Sequence, residues 1–367
     1  MRSTESGTAI VRGAVGELFA ETAITFEVGV PDSIALTVTP GVIPGCGGTA
    51  IAEALVTDHH GNPVRDGIVV AFDVTPQGAA EPIAGGRTTD GVASAIISSG
   101  TVPGPATVHA WWGPARTSVV DQFPVVFEAG PPDEVTLSAE PPNVLVGGNH
   151  ATLRLQAADC AGYEVTDGTP VTFTIASGQG SLQPMVTTTA SGRAQSTLTS
   201  PNQTGSATIR ATVGDREVTV VVEYIPGRAF NVNLTADPLS IPADGMSTST
   251  IVAEVTDSHG NNVADRTTVV FSTDLGRFDT GTSYVTSTLG GKASATLTSS
   301  STPGLARVGA VAGGKRSEIH IDFYYAPPAT PTPTLTPTPT PTPRWEWTVW
   351  LPIVVRWPWI WPWPHPW

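Results

Sequence analysis

The sequence predicts an all-β chain of β-sandwiches in series. Three observations carry that expectation: the composition, a set of markers that returns about every 100 residues, and alternation of apolar and polar residues inside each repeat. Charged residues make up only 14% of the 367, against roughly 25% in an average soluble domain. Thr, Ser, Val, Ala and Gly fill the gap. Thr and Val favour strands, and Gly and Pro favour the turns between them.

The markers set the domain length. A turn recurs at Asp58-His59-His60-Gly61-Asn62, Asp159-Cys160-Ala161-Gly162-Tyr163 and Asp257-Ser258-His259-Gly260-Asn261, spaced by 101 and 98 residues. Phe72, Phe173 and Phe271 follow with the same spacings. A Gly-x-Ala triplet returns at Gly91, Gly192 and Gly291, and a further glycine at Gly104, Gly205 and Gly304. Solenoid repeats run ~20–50 residues, so this period is too long for them. It matches whole domains the size of an immunoglobulin-type sandwich, about 100 residues.

Taken in order, residues 1–28 read as the last two strands of a further repeat. Ser6-Gly7-Thr8-Ala9-Ile10-Val11 matches Pro103-Gly104-Pro105-Ala106-Thr107-Val108, and Ile24-Thr25-Phe26-Glu27 matches Val125-Val126-Phe127-Glu128. The chain is therefore expected to continue a longer protein upstream, which would also account for the missing signal peptide. A lone two-stranded hairpin is marginal in water, so this one is expected to be poorly ordered or to dock on its neighbour. Three complete repeats follow at 29–129, 130–226 and 227–326. In the third, Ile251, Ala253 and Val255 alternate with polar residues, as do Val269 and Phe271, then Ala293, Ala295 and Leu297, then Ile319, Ile321 and Phe323. That period of two is the pattern of an antiparallel sheet with one buried face. Short proline-bearing junctions at 127–132 and 224–228 predict a semi-rigid, monomeric rod.

From Ala326 the composition changes. Residues 327–344 are nearly pure Thr-Pro alternation, which favours polyproline II. At ~3.1 Å per residue the linker spans roughly 50 Å. The tail 345–367 carries eight of the ten tryptophans. Its prolines forbid a continuous helix, and no stretch reaches the ~20 apolar residues of a membrane helix.

Ala243-Asp244-Gly245, Val255-Thr256-Asp257 with Gly260-Asn261, Val269-Val270-Phe271-Ser272-Thr273, Gly291-Lys292-Ala293 and Leu297-Thr298-Ser299 together resemble the bacterial Ig-like repeats of the intimin/invasin adhesin group. The resemblance spans roughly residues 1–325 and is strongest in the third repeat. In the second, Tyr163 replaces the turn asparagine, and in the first Gly45-Cys46-Gly47 replaces Ala-Asp-Gly. It implies an extracellular stalk or adhesin segment at the cell surface, with a cell-envelope component, a host or neighbour-cell surface component or a polysaccharide as partner. Neither an outer-membrane barrel nor a lectin-like tip domain is present, so receptor binding does not follow from it. The tail, Thr-Pro repeats and then Val349-Trp350-Leu351-Pro352-Ile353-Val354-Val355-Arg356, resembles the ends of secreted proteins of filamentous Chloroflexi-type bacteria. Its residues Trp350, Leu351, Pro352 and Arg356 are candidates for an anchor or sorting signal. Membrane-interface insertion, polysaccharide binding and a disordered end are the other readings.

No catalytic, cofactor or metal site is expected. Neither Gly-x-Ser-x-Gly, His-Glu-x-x-His nor a phosphate loop occurs. The net charge of −14, with no basic cluster, speaks against nucleic acid. Asp58, Asp159 and Asp257 suit turns whose carboxylates cap backbone N–H groups better than calcium, which wants six to eight oxygens. Asp66 and Asp265 are the only added carboxylates nearby. His59-His60 lacks a third metal ligand. Two cysteines exclude a cysteine-rich fold. Cys46 takes the place of Asp244 in the loop after the first strand, and Cys160 that of Ser258 in the turn between the second and third. These loops lie at opposite ends of a sandwich, which makes Cys46 and Cys160 a candidate inter-domain disulfide, with two free thiols as the alternative. A carbohydrate-binding or spacer module of a larger secreted enzyme is the alternative function.

Overall fold

The computed structural model describes residues 2–81, 83–114, 119–325 and 346–351. It separates into two units, Met1–Tyr324 and Tyr325–Trp367. The linker 327–344 and the tail residues 345 and 352–367 lie outside the described residues, Pro352 and Arg356 among them. In the second unit Trp347, Val349, Trp350 and Leu351 are exposed and belong to no strand or helix.

The first unit is all β. It begins with a hairpin, Gly7–Val15 against Leu18–Phe26. No other strand pairs with it among the described residues. Ile10, Val15, Leu18 and Phe19 stay exposed, and Arg12 lies 3.7 Å over the Phe19 ring. Three two-sheet sandwiches follow.

The third sandwich shows the plan most simply. One sheet has the order Asn231–Asp237, Thr248–Thr256, Lys292–Thr298. The facing sheet has the order Ser240–Pro242, Lys315–Tyr324, Gly304–Ala312, Thr268–Thr273, Ser283–Ser287. All neighbours are antiparallel except the first pair, in which Ile241 sits beside Phe323 in parallel register. The other two sandwiches repeat this plan. The second adds Ser181–Gln183 to the edge of its first sheet.

Alternation fills the space between the sheets. Ile251, Ala253, Val255, Val269, Phe271, Leu297, Ile321 and Phe323 are buried in a cluster confined to residues 232–323. Phe278 joins them from a loop, its ring centroid 6.2 Å from that of Phe271. The second and first sandwiches have their own clusters, around Phe173 and around Phe72 and Phe127. Small alanines are buried in the same cluster, Ala253 beside Ala293 in one sheet and Ala310 beside Phe271 in the other.

One element differs from expectation. The first strand of each repeat is two strands. Ser33–Thr39, Glu134–Glu140 and Asn231–Asp237 belong to one sheet, and Val42–Pro44, Asn143–Leu145 and Ser240–Pro242 to the other. A proline stands at each crossing (Pro40, Pro141 and Pro238). It has no N–H to give to the ladder it leaves. Cys46 thus follows the second half of a divided strand.

Candidate functional site at the domain junctions

The recurring Asp turn closes the end of each sandwich that faces the preceding segment. Asp58 Oδ1 accepts the His60 and Asn62 N–H groups, at 2.9 and 3.0 Å, and Oδ2 accepts the Gly29 N–H at 2.9 Å. Asp257 does the same with His259, Asn261 and Gly227, at 2.8, 3.0 and 2.9 Å. Asp159 holds Ala161, Tyr163 and Gly130, at 2.9, 2.9 and 2.8 Å. One carboxylate therefore ties the turn to the connector that enters the domain. All three are buried, with 2–5% of their surface exposed. The Gly29 N–H, with the Asn62 and His60 groups, holds the Asp58 carboxyl far below the usual range. At Asp257 burial opposes the charge, but the donors from Gly227, Asn261 and His259 outweigh it and the carboxyl is again lowered.

The fifth residue of the turn reaches the preceding segment. Asn261 donates from Nδ2 to the Asn202 carbonyl at 2.7 Å and accepts at Oδ1 the Thr204 N–H at 3.2 Å. Asn62 makes the same pair with the Thr4 carbonyl at 2.9 Å and the Ser6 N–H at 3.3 Å. The expected docking of residues 1–28 is this contact. An amide suits the role because it donates and accepts from one planar group.

The middle junction differs on both sides. Tyr163 stands in the turn where the others have asparagine, and Pro103, which has no N–H, stands where Ser6 and Thr204 donate. Here Cys46 and Cys160 are joined, with their Cα atoms 6.0 Å apart and a sequence separation of 114. The Cys160 N–H also points at Cys46 Sγ, 3.2 Å away. A Cβ on Gly130 would meet that sulfur at 2.6 Å, so glycine is needed in the connector.

The position of Cys46 is Gly147 in the second repeat. A Cβ on Gly147, whose φ is +90°, would fall 2.4 Å from Cε1 of His259 in the third. The loop after the divided strand thus meets the Asp turn of the next domain at both inner junctions. In the third repeat the position is Asp244, whose carboxylate folds back on its own loop. It accepts the Ser247 and Met246 N–H groups at 2.6 and 2.8 Å, and its carboxyl is lowered by them.

The remaining candidates take other parts. Asp66 and Asp265 turn away from the Asp turn and accept the Asp90 and Gly290 N–H groups, at 2.8 and 2.7 Å. His59 lies 3.4 Å from Asp32. No group of three or more metal-ligating side chains occurs among the described residues. Buried Thr88, Thr189 and Thr288, absent from the sequence reading, each bridge two backbone segments, Thr288 donating to the Ala264 carbonyl at 2.9 Å and accepting the Thr267 N–H at 3.1 Å.

The family model of invasin domain 3 matches residues 131–227 and, separately, 229–325. No curated protein matches the chain. Among solved structures, FdeC, described as a broadly conserved Escherichia coli adhesin, is 22% identical over 82% of this chain and 100% of its own, with a TM-score of 0.46. Invasin, described as a bacterial integrin-binding protein, is 20% identical over 80% of this chain and 60% of its own, with a TM-score of 0.47. InvD of Yersinia pseudotuberculosis is 16% identical over 79% and 96%, with a TM-score of 0.44. The two family-model matches together span more than half of the sequence, and the chain belongs to the invasin domain 3 family of bacterial Ig-like repeats.

Proposed function

We propose that the chain is a non-enzymatic structural stalk or adhesin segment of a bacterial cell-surface or secreted protein, acting by mechanical means. The observation that supports this most is how each sandwich meets a pull on its two ends. The second half of its first strand lies parallel to its last strand. In the third domain the Ala243 N–H bonds to the Tyr324 carbonyl at 2.9 Å and the Asp322 N–H to the Leu239 carbonyl at 3.0 Å. The same patch joins Gly45 to Glu128 and Val126 to Gly41 in the first, and Val146 to Ile225 and Glu223 to Pro142 in the second. Tension along the chain loads such a patch in shear, so its bonds must break together instead of one by one. Junctions tied by side chains pass the load between domains.

The test is force spectroscopy on the full chain, held by its ends under reducing conditions. Three discrete unfolding events are expected, each releasing about 95 residues, or roughly 320 Å of contour. Featureless extension would refute a stalk. The tail 345–367 is proposed to anchor or sort the protein through Trp350, Leu351, Pro352 and Arg356. Residues 326–367 fused to an inert secreted protein should retain it at the surface of the source cell, and release of the fusion into the medium would end that reading.

A further inference from the structure

The junctions carry two kinds of latch, and the residues of each kind occur in matched pairs. Where the turn has asparagine, the preceding segment offers a free N–H one residue before its strand: Asn62 with Ser6, and Asn261 with Thr204. Where the turn has Tyr163, the preceding segment has Pro103, and the Cys46–Cys160 pair spans the same gap. The loop residue opposite the turn changes in step. It is Gly147 under the His259 ring at the amide junction and Cys46 at the other. At the far end of the third domain the corresponding residues are Asp244, folded into its own loop, and Pro303, so this end presents neither latch.

We infer that docking between neighbouring domains of this chain runs on two mutually exclusive latches, an asparagine amide or a cystine, and that the cystine alone fixes the 129/130 junction. Each Asp turn is then an interaction surface that fits only the domain end bearing its counterpart. The amide turn takes a loop with a free N–H and a glycine, and the cysteine turn takes a loop with a thiol. The two amide junctions keep their order in any redox state. The cysteine junction has no amide to fall back on, since Tyr163 lacks the group and Pro103 lacks the donor. A dithiol that opens the bond is itself oxidised to a disulfide. Two electrons and two protons pass to the sulfurs of Cys46 and Cys160, and the junction becomes a hinge while the sandwiches stay folded.

The experiment uses the full chain. Peptide mapping without reduction should recover the segments holding Cys46 and Cys160 as one linked species, and only free thiols there would overturn the assignment. Hydrogen exchange is then compared with and without dithiothreitol. At least tenfold faster exchange is expected at the Cys160 amide, which points at Cys46 Sγ across the junction. The amides of Gly227, His259 and Asn261, and the core strands around Phe173 and Ile209, should be unchanged. Equal exchange at Cys160 in both states would overturn the inference. So would loss of core protection, because the bond would then hold a domain together and not a junction. In the Cys46→Ser/Cys160→Ser background, adding Pro103→Thr and Tyr163→Asn should build the amide latch and protect the N–H gained at position 103, as the Thr204 N–H is protected at the third domain. Failure of this rescue with intact cores would show that the two latches are not equivalent.

Discussion

At the residue scale, a single aspartate per repeat joins the turn, the connector and the junction. Asp58 and Asp257 carry carboxyls lowered by backbone donors. A carboxyl lowered in the folded state stabilises above its unfolded value, about 3.9. That contribution is lost as the pH falls below about 4 toward the folded value. Thermal midpoints should therefore drop between pH 5 and pH 2. Asp257→Asn should start lower at pH 7 and lose less over that interval, and an equal loss in both proteins would exclude this carboxyl as a cause. Asn261→Ala removes two bonds across a junction, each worth about 1 kcal/mol. Faster exchange of the Thr204 N–H, with the Phe271 core unaffected, is the expected result. The Asp turns were legible in the sequence because they return at a fixed offset in every repeat, and the two cysteines because each breaks the pattern at a position that does. The partners of Asn62 and Asn261 were not, since Ser6 and Thr204 act through backbone groups that carry no side-chain signature. The linking threonines escaped for a similar reason: Thr288 looks like any strand threonine until the segments it bridges are brought together.

At the element scale, the alternation that places Ile251, Ala253 and Val255 inside also exposes what each sheet shows outward. The three-stranded face of the first domain presents Ile51, Leu55 and Ile96, all exposed. The corresponding positions are Thr152, Gln156 and Thr197 in the second domain and Thr250, Glu254 and Thr296 in the third. Ile51 pairs directly with Ile96 across the ladder, so the two form one apolar spot. Surface changes of this kind shift stability by less than about 0.5 kcal/mol. Ile51→Thr with Ile96→Thr should therefore leave the unfolding midpoint of the first domain in place. Phe271→Ala, which empties a fully buried site, should cost the third domain about 3–5 kcal/mol. Denaturant titration followed domain by domain separates the two cases. Which strands face inward could be read from period-two alternation. The division of the first strand could not, because Val42–Pro44 and its equivalents are too short for a period, and only pairing with the last strand makes them strands.

At the scale of the first unit, the cystine and the parallel patches meet in one mechanical property. Force entering at residue 29 passes the strand Ser33–Thr39 and the patch Val42–Pro44, and then reaches Cys46. With the bond intact, tension crosses directly to Cys160, 114 positions further along the sequence, and the stretch between the two never bears load. That enclosed stretch includes most of the first core and the opening strands of the second domain. The oxidised chain should therefore release less contour than the reduced chain, by roughly 390 Å at ~3.4 Å per residue. The third domain lies outside the loop, so its event should be the same in both states. Its strength depends on its own patch, where the Ala243 N–H meets the Tyr324 carbonyl. Ala243→Pro deletes that donor, and the force of the third event alone should fall in both redox states. If the variant instead weakens the first two events, or if oxidised and reduced chains extend equally, the load does not follow the path that these bonds define.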